Sequence, residues 1–438
     1  MASDNEFLNF LEQIVFESIE ITEVNGIEGT NSIGEGPSFI SNWYAAGTNL
    51  LDDEPDEVLA TKTAGYKVIA QLGNGEFVGE IEETIQFVNG SEAGNKIFTQ
   101  GFLEPTLAPS GGTTTLQIVG GTGSFKNIRG LESVTGIPSI PGALDVSLEK
   151  FKQIQGSRKS DKINGKNINE FIAGNNGNDT IKGGQGNDII EGGRGGDIIR
   201  GGAGNDILAA DRVNRFQDFD GTKSELRGDN GDDIIYGGSK GDLIGGGNGD
   251  DLLFGKSGDD LIRGGGGFDL LQGGIGNDTL RGQGGIDVAD YSDLTFNGVF
   301  GTVAGLDVNL NHNIALHSSN NNALTWTDTL TTIENVIGTS RNDRFIGDEN
   351  DNVFYGLGEV GRDDRQTEFM GLNGESYKVT GDVVEYDGDR HDFTFGVSSE
   401  PYFGGITVTG DGIGTDILLG IEFLKFDDGL IAASDIDI

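Results

Sequence analysis

Twelve aspartates lie at multiples of nine residues from one another: Asp161, Asp179, Asp188, Asp197, Asp206, Asp233, Asp242, Asp251, Asp260, Asp269, Asp278 and Asp287. Glu170 holds the same place in one further block. Carboxylates held in such a row either repel one another or share cations. At an effective dielectric near 20, two unit charges about 5 Å apart repel by about 3 kcal/mol. Calcium answers that repulsion best, because it accepts roughly six to eight oxygens from carboxylates and backbone carbonyls in flexible geometry. Magnesium demands a stricter octahedron and keeps its water, so it is a poor substitute.

The frame that spaces these residues is a nine-residue block. GNNGNDTIK begins at Gly174 and is followed by GGQGNDIIE, GGRGGDIIR and GGAGNDILA. The series resumes with GDNGDDIIY at Gly228 and runs through GGNGDDLLF to GQGGIDVAD, ending at Asp290. Upstream, GSRKSDKIN and GKNINEFIA keep the frame in weaker form. The first six residues of a block read as a turn in which glycine permits positive φ. The last three read as a short strand, with an aliphatic eighth residue (Ile181, Ile190, Ile199, Leu208 and their successors) pointing into a thin core. If two blocks complete a coil, residues eighteen apart stack. One edge then carries Asp161, Asp179, Asp197, Asp233, Asp251, Asp269 and Asp287, and the other Asp188, Asp206, Asp242, Asp260 and Asp278.

The pattern G-G-x-G-x-D-x-U-x, with U a large aliphatic, resembles the RTX family of calcium-binding nonapeptide repeats. The resemblance implies a parallel β-roll that is disordered without calcium and rigid with it, binding and folding being one event. It also implies an extracellular protein exported by a type I secretion machinery through an uncleaved C-terminal signal. The start, MASDNEFLNFLEQIVFESIE, is acidic where a secretory signal is cationic, which fits that expectation.

Residues 210–227 interrupt the series. They number eighteen, one full coil, with Arg215 and Ser224 at the aspartate positions and Leu226 in an inward slot. The segment reads as a degenerate coil or, preferably, a bulged loop. Its DFDG is not an EF-hand, because Phe216 and Arg227 stand where that loop needs acids. Further on, GTSRNDRFI (338–346) and GDENDNVFY (347–355) form two more blocks, with Asp343 at the ligand position and Asn352 in place of the second aspartate. A short second roll over 338–356 within a C-terminal β-rich capping domain, 291–438, is expected, its last residues presenting the export signal.

The elements ahead of the repeat have another character. Residues 3–19 suit a short amphipathic helix: Ser3 and Glu6 fit a capping box, and Phe7, Leu8, Leu11, Ile14 and Val15 keep helical spacing. Over 20–150, alternating runs such as YKVIAQL, FVGEIEETIQFV and TTTLQIVGG are separated by turn residues, the signature of an antiparallel barrel or sandwich. The stretch GGTGSFKNIRG, Gly120–Gly130, resembles a motif of allene oxide cyclase and dirigent-type barrels. That resemblance implies a barrel that binds an apolar small molecule and steers its cyclisation, isomerisation or coupling by positioning. The catalytic residues are unknown; Trp43, Tyr44, Tyr66, Gln100, Glu104 and Arg129 are the side chains to test. The alternative is a ligand- or surface-binding module without chemistry, carried on a calcium-stiffened stalk.

The whole is thus an all-β chain: barrel, parallel roll over 156–290, and cap. Its 438 residues hold 76 glycines and no cysteine, and the formal net charge is −42. Disulfides, thiolate metal sites and cysteine nucleophiles are excluded. Nucleic acid and anionic membranes are poor partners for such a charge. No apolar run is long enough for a helix to span a bilayer. His312, His317 and His391 lie beyond the repeat and lack the company a zinc site needs. No H-E-x-x-H or G-x-S-x-G occurs.

Overall fold

The structure is a computed structural model that describes residues 6–15, 34–35, 39–45, 60–71, 77–87, 96–103, 113–122, 129–136, 143–211, 222–292, 303–319, 324–356, 367–372, 376–398 and 405–436.

Among the described residues, nine antiparallel strands form the first part: β1 (Glu6–Val15), β2 (Gly34–Glu35), β3 (Phe39–Ala45), β4 (Ala60–Gln71), β5 (Phe77–Phe87), β6 (Lys96–Leu103), β7 (Thr113–Gly121), β8 (Gly130–Gly136) and β9 (Ala143–Lys150). Eight of them close on themselves. β1 pairs with β3 and β9, β3 with β4, and β4 with β5, and successive neighbours pair from β5 to β9. β2 adds to β4. Among the described residues, closure gives each of these eight strands a partner on both sides.

The expected N-terminal helix is corrected to strand β1. Its ten residues lie between two partners, Phe10 opposite both Ala45 and Val146. Phe7, Phe10, Ile14 and Val15 are good strand residues, and two-sided pairing outweighs a local helical spacing.

From Lys152 the chain winds into a roll of two parallel sheets. One contains Thr180–Gln185, Ile198–Ala203, Glu225–Asn230, Leu243–Asn248, Leu261–Gly266 and Thr279–Gly284. The other contains Ile189–Arg194, Ile207–Ala209, Ile234–Tyr236, Leu252–Phe254, Leu270–Gln272 and Val288–Asp290. Eighth-position residues from Ile181 to Leu280 form the sealed interior, each at 0% exposure. Leu271→Ala is expected to cost about 2–5 kcal/mol, because a close-packed interior relaxes only partly around the hole. Urea denaturation at saturating calcium measures it; a loss below about 1 kcal/mol would mean that the column is loosely packed there.

The interruption changes the stacking. Ile181 pairs with Ile199 across eighteen residues, but Ile199 pairs with Leu226 and Leu208 with Ile235, across twenty-seven. Leu226 therefore stays in the roll, and the separation between stacked residues lengthens by nine, one block, across 210–227. A shift of one block, an odd number, exchanges the two edges beyond that point. The edges expected from strict eighteen-residue stacking are corrected accordingly. One row is Asp161, Asp179, Asp197, Ser224, Asp242, Asp260 and Asp278; the other is Glu170, Asp188, Asp206, Asp233, Asp251, Asp269 and Asp287.

Neither sheet stops at residue 290. Val288 pairs with Asn335, Asn335 with Val353, and Val353 with Ile417. In the other sheet, Thr279 pairs with Thr329, an antiparallel insertion of Val303–Asn309 and Ile314–Ser319 follows, and parallel pairing resumes from Asp307–Arg344 to Val383–Phe423. One sheet also carries a second apolar layer on its outer face, including Ile189, Ile207, Leu252, Phe254, Leu270 and Val288.

Candidate metal centre

Each sixth-position aspartate joins its row through the backbone. Asp251 N–H donates to Asp269 Oδ1 at 2.9 Å, and Asp269 N–H donates to Asp287 Oδ1 at 2.9 Å. The other row repeats this, with Asp260 N–H on Asp278 Oδ1 at 2.8 Å. Ser224 keeps the row continuous: its hydroxyl accepts from Asp197 N–H, and its own N–H donates to Asp242 Oδ1.

The second oxygen is a different matter. Oδ2 of Asp179, Asp188, Asp206, Asp233, Asp251, Asp260, Asp269, Asp278 and Asp287 is buried and makes no hydrogen bond. A buried carboxylate oxygen left so is costly. It faces the first glycine of its own block: a methyl group built on Gly246 would fall 2.1 Å from Asp251 Oδ2 and 2.8 Å from the Gly264 carbonyl oxygen. On Gly255 the same point lies 2.5 Å from Asp260 Oδ2 and 2.6 Å from the Gly273 carbonyl oxygen. Asp197 shares this arrangement, its Oδ2 2.4 Å from that point on Gly192. Among the described residues no three histidine or carboxylate side chains gather as a cluster. The donors are one carboxylate per turn plus backbone carbonyls, all hard oxygens, and that set fits calcium. Oδ2 of these aspartates and the glycine carbonyls would hold the ion, which would neutralise the rows.

Burial shapes the electrostatics. Loss of water pushes Asp233 up to about 9 and Asp188, Asp260 and Asp269 to about 8, and neighbouring carboxylates add to the shift. Asp206, Asp251, Asp278 and Asp287 rise to about 7, again chiefly by burial. Asp161 moves the other way, lowered by the Ser157 backbone N–H and hydroxyl.

Asp343 is fully buried, accepts from Thr339 N–H and Leu306 N–H, and donates its own N–H to Asp382 Oδ1 at 2.7 Å. Its row continues from Asp382 to Glu422, and Asn352 N–H reaches Asp416 Oδ1 at 3.1 Å. Asp328 and Glu334 likewise accept from Asp278 and Asp287. Sequence spacing misses these continuations, because the partners are 39 to 64 residues apart. It also misses an exposed fifth-position row, in which Asp250 N–H donates to Asp232 Oδ1 and Asn277 N–H to Asp259 Oδ1. The recurring Asn or Asp before the sixth residue is the signal that could have found it.

His317 is buried, with Nε2 3.0 Å from Asp328 Oδ2 and its ring 5.2 Å from those of Tyr291 and Trp326. His312 and His391 are exposed. Of the barrel side chains singled out, Gln100 is half-buried. Arg129 lies over the Phe171 ring of the roll, 5.4 Å from its centre. The side chains of Trp43, Tyr44 and Tyr66, and all of Glu104, lie outside the described residues, as do 123–128 of the glycine-rich motif.

The fold and the paired aspartate rows define a parallel β-roll with an oxygen-only cation site. The comparisons agree: the RTX calcium-binding nonapeptide repeat matches residues 164–199, 173–208, 186–214, 227–262, 254–289 and 331–359. The chain carries calcium-binding RTX repeats. No curated protein matches it. Solved structures similar to part of it include a pyocyanin demethylase, 16% identical over 33% of this chain and 98% of that one, with a TM-score of 0.24. A pterocarpan synthase dirigent protein is 15% identical over 34% of this chain and 93% of that one, at 0.26. The Diels-Alderase AbmU from Streptomyces koyangensis is 15% identical over 34% of this chain and 64% of its own, at 0.23.

Proposed function

We propose that this is an exported calcium-binding protein whose roll folds as it binds the ion and whose barrel holds an apolar small molecule in one reactive geometry. The observation that carries the calcium part is the set of nine buried aspartate oxygens without hydrogen bonds, each aimed at a glycine-made gap. Unfolded, these carboxylates are hydrated; folded without a cation, they are stranded. Binding free energy thereby becomes folding free energy. A chain unfolded at low calcium inside the cell and folded outside suits type I secretion.

For the barrel, support comes from the closed eight-stranded sheet and the Gly120–Gly130 motif. Cyclisation, isomerisation or coupling by positioning is the chemistry it would serve. The non-catalytic reading, with the roll as stalk, is favoured by Arg129, which packs on Phe171 of the roll. Solvent extraction of the purified chain followed by mass spectrometry tests the ligand. A stoichiometric apolar compound is expected; an empty extract and no saturable uptake of an apolar naphthalene dye would contradict it.

Calcium titration by calorimetry tests the metal. Several ions per chain are expected, with fewer in Asp251→Ala/Asp269→Ala; an unchanged stoichiometry in that double variant would misplace the ligands.

A further inference from the structure

The aspartates are not equivalent, and the fourth residue of each block separates them. In ten blocks that residue is a glycine, from Gly177 to Gly285, with φ between 107° and 151°. These are the blocks of Asp197 and of the nine aspartates whose Oδ2 makes no hydrogen bond. In five others the fourth residue is Lys159, Ile168, Lys240, Arg341 or Asn350, and none of these has positive φ.

There the turn takes another path and brings the second residue's N–H onto the sixth side chain. Ser157 N–H donates to Asp161 Oδ2 at 2.6 Å, Lys166 N–H to Glu170 Oε2 at 2.7 Å, and Gly238 N–H to Asp242 Oδ2 at 2.7 Å. Thr339 N–H does the same for Asp343, and Asp348 N–H for Asn352 Oδ1 at 2.9 Å. In the Asp242 block the carboxylate is also drawn aside: Oδ2 stands 3.1 Å from the methyl position on Gly237, against 2.5 Å for Asp260 on Gly255.

We infer that calcium enters only the blocks whose fourth residue is a positive-φ glycine, and that in the Asp161, Asp242 and Asp343 blocks a backbone N–H stands in the cation's place. A backbone N–H and a cation satisfy the same lone pair, so one replaces the other. Asp242 sits beside Ser224, which has no carboxylate, so the first row is broken in its middle by two consecutive cation-free turns. That row binds calcium as two separate segments, while the second runs from Asp188 to Asp287 unbroken. The inference rests on the calcium reading above and goes on to say which residues the ion uses.

The test is equilibrium dialysis of the full chain against radioactive calcium, with circular dichroism to verify folding. Asp242→Asn is expected to bind as many ions as the parent. Asp260→Asn is expected to bind fewer, and Lys240→Gly, which frees the turn, one more. Equal losses in the two asparagine variants, or no gain in Lys240→Gly, would overturn the inference. A parent chain that binds no calcium at all would instead refute the metal reading itself, and the inference with it.

Discussion

Near pH 5, the chain stripped of calcium is expected to keep parallel-sheet signal that it loses near pH 8. The sign follows from the raised carboxyls. Asp188, Asp233, Asp260 and Asp269 titrate at about 8 or 9 in the folded roll, and Asp206, Asp251, Asp278 and Asp287 at about 7. Unfolded, an aspartate titrates near 3.9. The folded, metal-free roll therefore holds more protons than the unfolded chain between those limits. Its stability is fully present below the unfolded value and is lost as pH rises through about 7 to 9. Protons and calcium relieve the same oxygens, so acid substitutes for the ion. With calcium bound the dependence reverses, since the ligands must be ionised. Far-ultraviolet circular dichroism of dialysed protein at the two pH values checks this. A metal-free chain equally unfolded at both would show that burial of these carboxyls is not what opposes folding.

Alanine at Gly249 and at Gly245 is expected to give opposite results. Gly249 has φ of +125°, and a methyl group there would fall 2.2 Å from the Gly231 carbonyl oxygen and 2.5 Å from its carbon. These contacts are with backbone of the coil beneath, which cannot move alone. Gly249→Ala is expected to destabilise the roll by several kcal/mol, adding a forbidden φ to the clash. Gly245 is the last residue of its block, where a methyl group would meet nothing within 4 Å. Gly245→Ala is expected to be neutral or to stabilise by about 0.4–1 kcal/mol through the unfolded chain. Urea titration in calcium compares them; similar midpoints for both would contradict the stacked-turn geometry.

The central architecture was legible because it is written locally. Glycine in the first and fourth places, aspartate in the sixth and an aliphatic in the eighth state a turn, a ligand and a core residue every nine residues. Ile181 to Leu280 lie where that frame puts them. Other features depend on partners far along the chain. β1 is a strand because β3 and β9 flank it, although Phe7, Leu8, Leu11, Ile14 and Val15 fit a helix equally well. The exchange of edges at 210–227 depends on which residues pair across it, and a segment of eighteen residues does not by its length say that Ile199 meets Leu226. Asp328, Glu334, Asp382 and Asp416 extend the rows without the block pattern, because coil positions there are filled across long insertions. The difference between Asp242 and Asp260 was present in Lys240 and Gly258, but its meaning lies in a turn conformation and the N–H it aims.

The most direct test of the account is a calcium titration of the full, chelator-treated chain near pH 8, followed by far-ultraviolet circular dichroism and calcium stoichiometry together. A cooperative gain of β signal that tracks ion uptake, and that a chelator reverses, is predicted. A chain that shows its full β signal before calcium is added, or that takes up calcium without any change in that signal, would contradict it.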